Sequence, residues 1–109
     1  MIKINNKEEM QKYYIKEINM YSFNDDVDFK CNIVVDSGIF ANDIKALNIK
    51  AHDINSCDIN ALDINANKIS FNAVCFAYEY FKCNSIKGTR KNSRYFCLDS
   101  DVIIKSKNI

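Results

Sequence analysis

An aliphatic side chain returns every fifth position through the middle of the chain. Val34 leads into Ile39, Ile44, Ile49, Ile54, Ile59, Ile64 and Ile69, and Val74 extends the series. A column of small residues runs two places behind: Ala41, Ala46, Ala51, Ser56, Ala61 and Ala66. A spacing of five fits neither a helix nor a flat strand. It fits a chain that turns a corner in each repeat and stacks coil on coil, which predicts a β-solenoid.

The flanks break this pattern. Residues 1–5 alternate weakly and read as a short strand. Residues 7–20 read as an α-helix, with Asn6 as N-cap and Glu9 completing a capping-box-like pair. Met10, Tyr13, Tyr14, Ile18 and Tyr21 fall on one helical face, which needs burial. The open end of a solenoid is the expected place, because a bare coil leaves backbone groups unpaired. Residues 22–30 form an acidic turn with Asp25, Asp26 and Asp28. They lack the glycine and terminal glutamate of a calcium loop.

Near residue 71 the small column turns aromatic, through Phe71, Phe76 and Phe81 to Ile86, while the isoleucine column fades into Glu79 and Asn84. The aromatic series reads as core whose inward phase has moved by two residues. Beyond it, Tyr95, Phe96, Leu98, Val102, Ile103 and Ile104 predict strands that close the C-terminal end, with residues 1–5 as a candidate pairing partner. If some aromatics reach the surface, they form an apolar patch suited to dimerisation.

The repeats read ANDIK, ALNIK, AHDIN, SCDIN, ALDIN and ANKIS. They resemble the pentapeptide-repeat proteins, with isoleucine as the central residue and Asp43, Asn48, Asp53, Asp58 and Asp63 in the family's polar slot. The family's small residue lies two before the centre. Here those positions hold Asn42, Leu47, His52, Cys57, Leu62 and Asn67. Either these point inward, or the alanines two after the centre do. Alternation along a short strand favours isoleucine and alanine sharing the inner side.

The resemblance implies a mainly β, right-handed quadrilateral β-helix of about three coils, at about twenty residues each, with an N-terminal capping α-helix. The expected organisation is one domain. It comprises an N-terminal strand, helix and acidic turn over 1–28, a repeat body over 29–87 and a C-terminal cap over 88–109. At that coil length Asp43 stacks over Asp63, and Asp43, Asp53, Asp58 and Asp63 form an acidic belt rather than a stripe.

Composition narrows the function. Lys+Arg is 15 and Asp+Glu 14 in 109 residues, so the net charge of +1 argues against both a wholly acidic DNA mimic and a generally basic nucleic-acid binder. The five cysteines contain no CxxC and read as reduced core fillers, without a metal site. His52, the only histidine, reads as a surface residue. No phosphate loop, metal motif or nucleophile elbow is present, so no cofactor and no enzymatic activity is expected. The start carries no signal-like apolar run and no stretch is long enough to span a bilayer, which predicts a soluble cytoplasmic protein without membrane association.

The strongest local signal is KCNSIKGTRKNSR, residues 82–94. Lys82, Lys87, Arg90, Lys91 and Arg94 are uninterrupted by acids and are candidate partner contacts, with a solvated cationic loop as the competing reading. Gly88 is expected to permit a turn there. Tyr78, Tyr80 and Tyr95 are candidate base-stacking residues. The layout also resembles small phage and mobile-element proteins of Gram-positive bacteria. That implies a host-defence inhibitor whose partner is a host protein or nucleoprotein complex such as a CRISPR effector. Direct nucleic-acid contact through the basic segment and a homodimer through the C-terminal end are further expectations. The alternatives are a DNA-mimicking topoisomerase binder and a purely structural module.

Overall fold

The computed structural model describes residues 1–105; the last four residues of the predicted C-terminal cap lie outside the described residues. The chain is mainly β and forms a curled parallel sheet, a β-solenoid of about five turns. Its strands are β1 (Ile2–Ile4), β2 (Tyr14–Ile15), β3 (Met20–Ser22), β4 (Val27–Phe29), β5 (Ile33–Val34), β6 (Gly38–Phe40), β7 (Asp43–Gly88), β8 (Arg94–Cys97) and β9 (Ile103–Ile104). β7 is one long strand that bends round every corner of the middle coils.

Register counts the sides of the coil. Gly38, Ile39 and Phe40 pair in parallel with Asp53, Ile54 and Asn55, an offset of 15 residues. Three pentapeptides therefore complete a turn, so the coil is three-sided, not four-sided, and has about five turns rather than three. A five-residue repeat fits either number of sides; only the stacking partner decides. The three sides are here named A, B and C. Side A stacks β1, β4, part of β7 and β8. Side B stacks β5, β7 and β9. Side C stacks β3, β6 and β7.

Each side of the regular coils places isoleucine and the small residue inward. Ile44, Ile49, Ile54, Ile59, Ile64 and Ile69 are buried, and so are Ala41, Ala46, Ala51, Ser56, Ala61 and Ala66. This settles the second inward slot in favour of the small column; Asn42, Leu47, His52 and Cys57 are exposed. One large and one small residue per side fill a narrow triangular lumen. Each isoleucine so buried contributes roughly 1.5–3 kcal/mol.

Both ends of the lumen are plugged by rings. Tyr13 packs on Phe23 at 4.6 Å and Phe23 meets Phe29 edge-on at 5.7 Å. At the other end Tyr95 lies 6.3 Å from Phe71 and 6.4 Å from Phe81. Small residues make room there: Cys75, Ala77 and Cys83 are buried beside the rings. Gly88 serves the same need. A Cβ on it would collide with Ser93 and lie 3.3 Å from Phe71 Cζ. Its φ is not positive, so space rather than a left-handed turn requires glycine.

Several expectations change here. The segment 7–20 is not one α-helix. A 3-10 helix covers Lys7–Tyr13 and a second covers Lys16–Ile18. Between them β2 pairs antiparallel with β3, through a left-handed Asn19 at φ 50°. The cap at Asn6 does form: its side chain accepts from the Glu9 amide at 3.1 Å, while Glu9 accepts from the Asn5 amide at 2.6 Å. The helix buries Met10 completely. β1 pairs with β4 rather than with the C-terminal strands, which continue the parallel stack on β7. Cys57 is exposed, whereas Cys75 and Cys83 are core; burial pushes the Cys75 thiol far above its ordinary range.

Candidate functional site

The three-sided coil redistributes the aspartates. Asp43 stacks between Asp26 and Asp58 on one corner of side A, while Asp53 and Asp63 stand on the other two corners. The belt therefore contains a column three carboxylates high, and Asp43 does not stack over Asp63. The three carboxylates of the column have backbone work to do. Asp26 Oδ1 accepts from the Asp43 amide at 3.2 Å, and Asp58 Oδ1 from the Val74 amide at 3.1 Å. Asp43 in turn accepts from the Asp58 amide. Each satisfies an amide that the corner would leave unpaired. Partial burial and the negative charges of Asp26 and Asp58 raise the Asp43 pKa against that hydrogen bond.

The inward phase slips twice beyond Ile69. Buried positions run Ile69, Phe71, then Cys75, Ala77, then Phe81, Cys83. One residue is inserted on the way to Cys75. Another enters at the corner Tyr78–Glu79–Tyr80, where all three side chains are exposed. Phe76 consequently points outward, unlike Phe71 and Phe81, and the expectation that all three are core fails for it. Its ring lies 4.6 Å from Tyr78 and 4.6 Å from Phe96.

The outer face of side A changes character at this level. In the lower coils it presents Asp43, Lys45 and the exposed Leu47, then Asp58, Asn60 and the half-buried Leu62. In the last two it presents Val74 over Arg94 and Phe76 over Phe96. Tyr78 and Leu98 continue the column of Leu47 and Leu62 and widen the patch; the Leu98 amide bonds to Ala77 O at 3.0 Å and the Asp99 amide to Tyr78 O at 3.0 Å. Phe96 and Leu98 are 47% and 66% exposed. Clustered aromatic rings beside an arginine form the kind of surface that dominates protein–protein affinity.

The five basic candidates do not form one patch. Lys82 lies on side B and Lys87 on side C. Arg90 and Lys91 occupy the turn between sides C and A, closed by the Ser93 amide on Arg90 O at 3.2 Å and by the Arg90 amide on Ser93 Oγ at 2.9 Å. Arg94 begins β8. Arg90, Lys91 and Arg94 therefore stand beside the aromatic patch, and the other two face elsewhere. Tyr95 points into the lumen against Phe71 and Phe81, which removes it from the stacking candidates.

The sequence allowed an apolar patch of surface aromatics at the C-terminal end, but Phe76 read as core and the outward residues Phe96 and Leu98 were not singled out. The signal was present as alternation, since Val74, Phe76 and Tyr78 all fall on the face opposite Cys75 and Ala77. Among the described residues no group of three or more His, Cys, Asp or Glu side chains could hold a metal. Nor is any helix among them long and apolar enough to cross a membrane. Compared with family models, curated proteins and solved structures, the chain finds no match.

Proposed function

We propose that this chain is a non-enzymatic binding protein whose rigid solenoid presents a contact surface at the C-terminal end of side A. The observation that carries the reading is the switch of two outer positions from Asp43 and Lys45, then Asp58 and Asn60, to Val74, Phe76 and Phe96, with Arg94 in register, beside an apolar column of Leu47, Leu62, Tyr78 and Leu98. Exposed rings on a parallel sheet cost solubility, so a partner that covers them is their best account. The resemblance to phage and mobile-element proteins makes a host nucleic-acid machine, such as a CRISPR effector, the target class, blocked by steric occlusion.

The test is inhibition of target cleavage by purified effectors. Phe96→Asp should abolish inhibition, and Arg90→Glu with Arg94→Glu should weaken it at least tenfold. Undiminished inhibition by both variants would sink the contact surface. Failure to inhibit any effector would sink the target class. Homodimerisation is the competing use of the same surface. Sedimentation of the protein alone decides it, because a dimer burying Phe96 dissociates in the Phe96→Asp variant. The topoisomerase reading has the Asp26–Asp43–Asp58 column in its favour, but that column gives way at Val74 to apolar side chains.

A further inference from the structure

The outer face of side B carries a second, chemically different surface. Alternate residues of each strand project outward there. One column runs Lys50, Asn65, Lys82 and Ile103, and its neighbour runs His52, Asn67, Asn84 and Lys105. Coil stacking brings them together from positions far apart in sequence. A groove of about 380 Å³ lies along these columns, lined by Lys50, His52, Lys82, Lys105 and the three asparagines. Asn84 donates its side-chain amide to Asn67 across adjacent coils. Asp36 stands one coil below, at the groove's end, and no other acid among the described residues lines it.

Three lysines converge here, with Asp36 as the one carboxylate among the described residues that lines the groove. The ion pairs among the described residues are Met1–Asp25 and Lys30–Asp28, His52 Nε2 lies 4.0 Å from Asp53 Oδ1, and none of these contacts involves Lys50, Lys82 or Lys105. A neighbouring recess shares Lys50 and Asn65 and is edged by Tyr80 and Asp63. Tyr80 precedes Lys82 by two residues, so both project from the same face of β7, and Tyr80 is 37% exposed. A row of lysines, flanking amides and an exposed ring at its edge is the arrangement that holds a phosphate backbone while a base stacks.

We infer that this groove binds single-stranded nucleic acid, with Lys50, Lys82 and Lys105 on its phosphates and Tyr80 against a base. From the Lys50 coil to the Lys105 coil the groove spans about 14 Å at the usual inter-strand spacing, room for a few nucleotides. The site is separate from the aromatic surface of side A and does not depend on it.

Fluorescence anisotropy with a labelled oligothymidylate tests the inference. Binding should fall with salt, with a log–log slope of about −2 for three phosphate contacts on a single strand. Lys50→Glu with Lys82→Glu should weaken binding at least tenfold, and Tyr80→Ala about fivefold or more. Arg90→Glu with Arg94→Glu, on the other surface, should leave it unchanged; all these side chains are solvent-facing, and circular dichroism checks the fold. The inference is overturned if the Lys50/Lys82 variant binds like the parent or if the Arg90/Arg94 variant alone loses binding. It is equally overturned if duplex DNA binds as tightly as the single strand, or if inorganic polyphosphate binds where oligothymidylate does not.

Discussion

The middle coils and the last two coils solve one packing problem with opposite means. Between Gly38 and Ser70 each side contributes an isoleucine and a small residue, and the outer face is mostly polar, with Phe40 and Leu47 as its exposed large apolar residues. Beyond Phe71 the large positions pass to aromatic rings, cysteine takes an isoleucine place, and rings also appear outside at Phe76 and Phe96. The regular region shows what the scaffold requires. Departures from it that are not explained by filling the lumen mark surface that the scaffold does not need.

The largest test separates inward from outward rings. Phe81→Ala should cost about 3–5 kcal/mol in urea unfolding, because the ring is fully buried. Phe76→Ala, at the same spacing but outside, should cost only about 1 kcal/mol, the scale of its aromatic contacts. Equal costs would erase the distinction between the two regions' faces.

A second test forces the middle rule onto the end. Cys75 holds the large inward position that Ile59 holds one coil earlier, and it lies fully buried. Cys75→Ile restores the ladder but overfills a lumen already holding Phe71 and Phe81. A loss of about 2 kcal/mol is expected on thermal or urea unfolding. A stabilised variant would mean that the aromatic end is loosely packed.

The junction between the regions gives a smaller effect. Asp58 bonds the Val74 amide where the phase first slips. Asp58→Ala should cost about 1 kcal/mol, and Asp58→Asn, which keeps an acceptor, less. Hydrogen exchange at Val74 reads the same bond locally.

The smallest effect is electrostatic. Partial burial raises the Asp43 pKa, with Asp26 and Asp58 adding to it. The folded state therefore binds this proton more readily than the unfolded state, so this group's contribution falls as pH rises from the unfolded carboxylate range through the raised value. Asp43→Asn should be slightly more stable than the parent at neutral pH, and the difference should vanish as the pH drops below that range. A difference that grew on acidification would reverse the assigned sign.

Much of the scaffold was legible in the chain. The five-residue spacing predicted a solenoid, and alternation favoured the inward isoleucine and small columns. Asn6 and Glu9 announced a helix start. The helix itself was misread, because Tyr14 and Ile15 fit a helical face as well as they fit the hairpin with Tyr21 and Met20. Phe76 was misread because a spacing of five persists through residues whose inward phase has already slipped. Of the basic candidates, Arg90, Lys91 and Arg94 fell together as adjacent residues would. Lys82 found its companions Lys50 and Lys105 only through stacking.

The sequence alone determined the repeat and the residues that fill it, because alternation and spacing along a strand are local properties of the backbone. The number of sides, the identity of each residue's neighbour one coil away and the faces of the inserted rings were decided by tertiary structure. A repeat of five closes into a turn after any whole number of sides, and only the hydrogen-bond register between Ile39 and Ile54 sets that number at three. That register brings Asp43 against Asp58 and places Phe76 over the outer sheet. It also collects the lysines of side B into one groove.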